Sequence, residues 1–249
     1  MPRLRDLDLA RHLADPAIKQ RFVTPMFDLV ATRYDAFTRT FSFGMDRRWK
    51  RALVSDLVSL APPGARMLDL ACGTGDLAFA TAAAVREARV TGVDVSARMI
   101  ALARERAGPM ANPAFAEGDM ARLAFPDASV DAISAGYAFR NTPDYRAALS
   151  EAHRVLRPGG VLVTLDFYRP GPALWRALFL SYLRAAGNAV GWWWHREPVA
   201  YGYIAPSIDA FVSWQGFSAA LATAGFDVRN VRTYLGGGVG VHLAQRQHE

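Results

Sequence analysis

The chain predicts an α/β fold: an open, doubly wound, mostly parallel sheet with helices on both faces. Three features of its 249 residues point there. Short apolar runs alternate with stretches of helical periodicity, a glycine loop follows the first run at once, and two β-rich segments near the end are joined by the run Gly236, Gly237, Gly238. Strands separated by helix-length connections cannot be hairpins and must cross over, which makes them parallel neighbours of right-handed hand.

Taken in order, 66–71 (RMLDLA) reads as the first strand, 73–76 (GTGD) as a turn and 77–88 as a helix rich in alanine. A second strand over 89–95 and a helix over 96–108 follow, then a third strand over 114–119 and a fourth over 130–138. Residues 145–160 read as a helix stopped by Pro158, Gly159 and Gly160, and 161–167 as the fifth strand. The tail offers a helix ending at Gly225 and two strands close enough in sequence to pair as an antiparallel hairpin on the sheet edge. All 249 residues are expected in one domain, with a helical N-terminal cap (1–60), a cofactor-binding core (61–166), a lid insertion (167–212) and a C-terminal helix with its hairpin (213–249). Cap and lid would cover the carboxyl ends of the strands, where open α/β sheets bind ligands.

Half the residues are apolar and a fifth charged, a balance that excludes collagenous, disordered and disulfide-scaffold classes. Cys72 is the single cysteine and has no partner in the chain; with no apolar leader after the opening MPRLRDLDLARHL, a cytoplasmic, reducing setting is expected. The first 51 residues carry eleven Lys or Arg against six Asp, so most of the net charge of +6 lies there. Such a segment is either a solvated helical face or an approach to nucleic acid or anionic lipid. The longest apolar run, 173–194, is broken by Arg176, Arg184, Gly187 and Gly191, which makes it a poor membrane span. It reads as a lid or core helix, or as one lying on a membrane surface.

The loop DLACGTGDLA (69–78) leaves a strand and opens a helix, the setting of a nucleotide-binding turn. Gly73 and Gly75 let the backbone turn tightly and approach a ligand. The carboxylates choose the ligand. Asp76 on the helix N-terminus would repel a pyrophosphate, which seats there in dinucleotide sites, and Asp69 at the strand end adds a second negative charge. A cationic ligand such as S-adenosylmethionine, with its sulfonium and ammonium, suits this lining. Asp94 ends the next strand 21 residues after Gly73, placed to take both ribose hydroxyls. Asp119 follows the third strand, placed to accept from the adenine amino group while Met120 packs on the ring. Val95 and Gly136, beside these strand ends, complete the expected cofactor set. No spacing of His and Cys suggests a metal site.

The core resembles a class I S-adenosylmethionine-dependent methyltransferase of Rossmann-like fold. Three outer blocks, RYDAFTRTFSFGMDRRWK (33–50), FRNTPDYRAALSEAHRVLRPGG (139–160) and YGYIAPSIDAFVSWQGFSAALATAGF (201–226), resemble the ubiquinone/menaquinone biosynthesis C-methyltransferases. The resemblance implies cofactor contacts from Thr74, Asp94, Asp119 and Met120, a prenylated quinol as substrate and methylation of a ring carbon. The chain departs from the family pattern on the acceptor side, with Gly136 where a serine is common and YAFRN in place of FGLRN.

Arg140 and Asn141 sit just past the fourth strand. A hydroquinone carbon becomes nucleophilic when a neighbouring hydroxyl ionises, and a phenol of pKa about 10 needs roughly 4 kcal/mol to do so at pH 7. A guanidinium about 4 Å away at an effective dielectric near 20 contributes on the order of 4 kcal/mol. Arg140 is therefore expected to hold the ionised oxygen, with Asn141 donating a second hydrogen bond; the salt-bridge alternative for Arg140 is Asp144 or Asp76. Asp76, directly or through a water, is the expected general base, and Tyr34 would orient the hydroxyl. His153 reads as a solvent-facing helix residue, and His242 in the last strand is a weaker candidate base. Three functions are weighed: a quinol C-methyltransferase in contact with a membrane, a methyltransferase of a soluble aromatic metabolite, and an RNA methyltransferase. No Asn/Asp-Pro-Pro-aromatic base pocket exists and the aromatic residues cluster with aliphatics, so nucleic acid is not expected as a partner. Self-association is left open.

Overall fold

A computed structural model describes residues 16–85, 87–196 and 199–247. Three helices come first: α1 (Pro16–Val30), α2 (Tyr34–Phe41) and α3 (Met45–Leu60). The alternating body follows as β1 (Arg66–Leu70), α4 (Asp76–Ala84), β2 (Arg89–Asp94), α5 (Ala97–Ala107), β3 (Ala114–Glu117), β4 (Val130–Gly136), α6 (Tyr145–Val155) and β5 (Leu156–Phe167). Then come α7 (Ala173–His195), α8 (Val199–Gly202), α9 (Ile204–Ala210), α10 (Trp214–Thr223), β6 (Phe226–Tyr234) and β7 (Val239–Arg246).

The strands form one seven-stranded sheet in the order β3-β2-β1-β4-β5-β7-β6. The first five are parallel, and β7 runs antiparallel to both β5 and β6. Successive β1 side chains point to opposite faces: Met67 enters one apolar core, Leu68 and Leu70 the other. Both faces are thus covered, which is why these strands read as continuous apolar runs. The winding reverses between β2 and β4 on either side of β1, opening a crevice at the carboxyl edge.

Two details differ from the sequence expectation. The late strands do pair, but β7 is inserted inside the sheet and β6 takes the edge. The first four residues of β7 are buried, whereas β6 carries Asp227, Arg229 and Arg232, which an edge tolerates. The helix expected to run to Pro158 stops at Val155. Proline disfavours a helical conformation in the residue before it, and Leu156 pairs with Val130 to begin β5 early; the register then shifts between Val130 and Ala132. Pro158, Gly159 and Gly160 therefore lie within the strand, where a Cβ on Gly160 would meet carbonyl oxygens of Arg157 and Asp131 at 2.9 and 3.0 Å.

The helices outside the alternation converge. Val23, Met26 and Val30 of α1 and Phe37 of α2 share an apolar cluster with Phe179, Leu180 and Leu183 of α7 and with Tyr201, Ile204 and Ile208. Phe37 stacks on Tyr201 at 3.8 Å between ring centroids. N-terminal and insertion helices so form a shared roof.

Candidate functional site

A cleft opens at the carboxyl edge, the side of an open α/β sheet where ligands bind. Of the expected cofactor residues, Asp69, Gly73, Thr74, Asp94, Val95, Asp119, Met120 and Gly136 line it; α1 closes the other side with Gln20, Val23 and Phe27. Gly75, also expected to contact the cofactor, is not among the residues that line it. It caps α4 at φ +90°, and a Cβ there would fall 2.7 Å from the Phe115 ring and 2.9 Å from that of Phe79. Its glycine serves the turn and the packing beneath it.

The acidic residues are held in different ways. Asp94 accepts from the Gly73 amide through Oδ2 and from the Ser96 amide through Oδ1, both at 2.8 Å. Each oxygen keeps a lone pair for a further donor. Burial raises its pKa despite these bonds. Asp119 is exposed at the cleft rim, its Oδ1 accepting from the Ala121 amide at 2.8 Å, while Met120 is buried. Asp69 is 1% exposed, and burial pushes its pKa up to about 7. Its Oδ1 accepts from Ser134 Oγ at 2.8 Å and the Ala78 amide also favours the ionised form, but among the described residues no hydrogen bond of good geometry reaches Oδ2. A buried carboxylate oxygen without a partner is costly, and a ligand ammonium would satisfy it. The donor set thus fits S-adenosylmethionine: carboxylates for its cationic and hydroxyl groups, and an apolar wall for its ring.

Lys50 is the one cation among the described residues of the cleft wall; it closes the 33–50 block, whose resemblance gave it no role. Its Nζ lies 3.0 Å from Asp46 Oδ2 and 3.1 Å from Asp76 Oδ2. Asp76 also takes a hydrogen bond from Arg106 Nη1 at 2.5 Å. Burial works against ionisation of Asp76, but Lys50 and Arg106 outweigh it and hold the carboxyl below its ordinary value. Both Asp76 oxygens are thus taken by cations, which bears against the expected role of general base because it weakens the pull on a proton. Cys72 shares the cleft wall, with its thiol pushed up by burial and so kept neutral.

A second cavity of about 520 Å³ adjoins the first, and Phe27 and Tyr137 line both. Its wall is aromatic and aliphatic, including Met26, Phe37, Phe41, Phe167, Tyr201, Tyr203 and Ile204, with Thr38, Ser42 and Arg140 as its polar members. Tyr137 turns the chain out of β4 at φ +59°, a left-handed conformation unusual for a non-glycine residue. Its hydroxyl donates to buried Asp46 at 2.7 Å, and its ring stacks on Phe167. The sequence showed Tyr137 as a departure without placing it at this junction.

Arg140 is 4% exposed and belongs to this second cavity rather than to the cofactor cleft. Its counter-charge is neither Asp144, which caps α6, nor Asp76, but Asp166 at the end of β5, with Nε 3.6 Å from Oδ1. The Arg140 amide donates to Asp166 Oδ2 at 3.1 Å, and Nη1 donates to Ser207 Oγ. Burial raises the Asp166 pKa while Arg140 opposes the rise. Asn141 lines the cofactor cleft, where Nδ2 donates to the Tyr137 carbonyl at 2.8 Å and Oδ1 accepts from Tyr203 at 3.3 Å. From α1, Lys19 Nζ donates to the carbonyls of Arg140 and Thr142 at 2.7 and 2.8 Å. The side chain of Tyr34, at the start of α2, lies outside the described residues.

Neither histidine candidate reaches these cavities. His153 packs edge-on against Phe226 beneath Gly225. His242 is fully buried beside Tyr168, Trp214 and Ser218, and burial lowers its pKa to about 4.

Comparison with known proteins agrees with this arrangement. Residues 16–246 match the ubiE/COQ5 methyltransferase family. A demethylmenaquinone methyltransferase of Thermus thermophilus is 39% identical over 205 residues, covering 82% of this chain and 92% of the relative. A ubiquinone/menaquinone biosynthesis C-methyltransferase of Brucella anthropi is 36% identical over 232 residues, covering 92% and 88%. Among solved structures, an S-adenosylmethionine-dependent methyltransferase of Thermotoga maritima superposes with a TM-score of 0.62 at 20% identity, covering 90% of this chain and all of its own, which shows the shared fold. An acid-lined cleft at the sheet's switch point, opening into an aromatic cavity, together with these matches over nearly the whole chain, shows that the protein belongs to the ubiE/COQ5 methyltransferase family and is an S-adenosylmethionine-dependent methyltransferase.

Proposed function

We propose that this protein methylates a ring carbon of a prenylated hydroquinone in ubiquinone or menaquinone formation. The observation that carries the reading is the second cavity: a largely aromatic chamber with one guanidinium in its wall, joined to the cofactor cleft at Phe27 and Tyr137. Aromatic walls suit a flat ring, and Arg140 suits an oxygen that must be anionic for its ring carbon to attack. When bound, S-adenosylmethionine supplies an electrophilic methyl group on a sulfonium. Asp94 takes the ribose hydroxyls, Asp119 and Met120 the adenine, and Asp69 the ammonium, with Lys50 near for the carboxylate. Gly73, Thr74, Val95 and Gly136 shape the floor. On the acceptor side Arg140 stabilises the ionised oxygen, as donors of an oxyanion hole do, and Asn141 fixes the turn that carries it.

The outer face of α7 fits a substrate that resides in lipid. Leu174, Leu178, Trp192 and Trp193 are exposed along it, and exposed Phe43 continues the apolar surface through Tyr182 towards Phe41 in the second cavity. No helix among the described residues is long and apolar enough to cross a membrane. We infer contact with the bilayer surface, from which a polyprenyl tail would remain partly embedded while its ring enters the cavity.

The test is quinone mass spectrometry in cells lacking the protein, paired with the purified enzyme, S-adenosylmethionine and hydroquinones of graded tail length. Accumulation of a quinone short of one methyl group, a product methylated on carbon, and faster turnover with longer tails in liposomes are expected. Unchanged cellular quinones, or equal turnover of a tail-less phenol, would remove the quinol reading.

A further inference from the structure

Lys19 occupies a position that the cofactor and acceptor roles leave unexplained. It sits on α1, the helix whose Gln20, Val23 and Phe27 wall the cofactor cleft. Its Nζ donates to the carbonyls of Arg140 and Thr142, at 2.7 and 2.8 Å, and so spans the turn holding Arg140 in one cavity and Asn141 in the other. The far end of α1 is fastened differently: Ser96 Oγ donates to Asp28 Oδ1 at 2.5 Å, next to Asp94 on the cofactor side. Among the hydrogen bonds of the described α1 side chains, those of Lys19 are the ones that reach the acceptor turn.

We propose that Lys19 is a positioning residue for methyl transfer, a clamp that ties closure of α1 over the cofactor to the alignment of Arg140 and Asn141. The proposal rests on the acceptor role given above to Arg140. Charge supports it as well as geometry. With Lys19 protonated, two cations, Arg140 and Lys19, stand against the one carboxyl of Asp166, so the buried group stays positive towards an anionic acceptor. Arg140 from the turn and Asp166 from β5 are the charged groups acting on Lys19, and Tyr203, at the N-cap of α9, faces Arg140 from beyond. Burial, then Arg140, lowers the Lys19 pKa to about 8 against the pull of Asp166. Above that pH the amine keeps two N–H donors but loses charge assistance to both bonds.

Two measurements test the clamp. In the S-adenosylmethionine-bound protein, hydrogen exchange at the Asn141 and Thr142 amides should quicken at least about tenfold in Lys19→Met, with the Gly73 amide unchanged. Unchanged exchange at Asn141 and Thr142 overturns the clamp whatever the substrate proves to be. With a short-tailed 1,4-naphthohydroquinone, Lys19→Met should lower kcat at least about thirtyfold, with the cofactor KM moved less than about fivefold. Lys19→Arg should recover most of the loss and shift the alkaline fall in activity, near pH 8 in the wild type, upward by more than about one pH unit. Equal losses in both variants, or an alkaline fall that stays in place, would show a merely structural lysine. If the wild type leaves the hydroquinone unmethylated while Lys19→Met still loosens the turn, the quinol reading fails and the clamp stands.

Discussion

A guanidinium that only neutralised Asp166 would exert little field on an acceptor oxygen, so the geometry of Arg140 matters as much as its charge. Its Nε faces Asp166 at 3.6 Å and makes no hydrogen bond among the described residues, while Nη1 is turned to Ser207. The planar fork thus meets Asp166 with one edge while another part reaches the cavity wall. A lysine ammonium is a point charge and cannot do both. Arg140→Lys is expected to lower turnover at least a hundredfold, about 2.7 kcal/mol of transition-state stabilisation. Affinity for S-adenosylmethionine should stay within about threefold, because Arg140 lies outside the cofactor cleft. Steady-state kinetics with calorimetry would check this, and near-normal turnover would refute the electrostatic role. Asp69, Asp94 and Asp119 were legible in the sequence because a strand-end carboxylate is placed by its own local pattern. The partners of Arg140 were not: Asp166 is 26 residues away and Lys19 121, and only the β4–β5 pairing and the packing of α1 bring them in. The two cations of Asp76 were not legible either, because they come from α3 and α5.

At the scale of elements, local chemistry dictated the β1–α4 turn more firmly than the sheet's far edge. Gly75 must hold φ +90° and sit under two rings, so its identity follows from backbone and packing together. Alanine there meets left-handed strain of roughly 1–2 kcal/mol and overpacking of roughly 1–3 kcal/mol. Gly75→Ala should therefore destabilise the protein by about 2–5 kcal/mol, read as a lower urea midpoint. A loss below about 1 kcal/mol would mean that Phe79 and Phe115 move aside freely. The edge was harder to read. Two strands joined by Gly236, Gly237 and Gly238 specify a hairpin, but not which strand joins β5. That depends on the buried face of β7 finding α10, through contacts such as His242 with Ser218 and the Trp214 carbonyl. The early start of β5 likewise comes from Leu156 meeting Val130, a non-local pairing that overrides the helix-stop signal of Pro158 and two glycines.

Across the whole molecule, folding gathers buried carboxylates at one edge of the sheet; Asp166 already has Arg140 beside it, whereas Asp69 costs stability until a cation arrives. Asp69 and Asp166 are almost fully buried, and burial lifts the pKa of Asp69, Asp94 and Asp166 alike. For Asp69 the sign is clear. Its folded pKa of about 7 lies above the ordinary 3.8, so the stability gained by keeping it protonated is complete below about pH 4 and is lost as pH rises through 7. Asp69→Asn removes that loss. The variant should gain on the wild type by up to about 1.4 kcal/mol per pH unit between pH 4 and 7, on the order of 4 kcal/mol in all at pH 8. Ligand binding should move the other way. S-adenosylmethionine affinity of the wild type should strengthen as pH rises through 7 and Asp69 ionises, whereas the asparagine variant should bind more weakly and with a flat profile across that range. Urea unfolding and calorimetry at pH 5, 6, 7 and 8 would follow both quantities in the same samples. A variant no more stable than the wild type at pH 8, or one that keeps the wild-type pH dependence of binding, would show that the unpartnered Oδ2 is satisfied in solution and that the edge holds no such reserve for a cationic ligand.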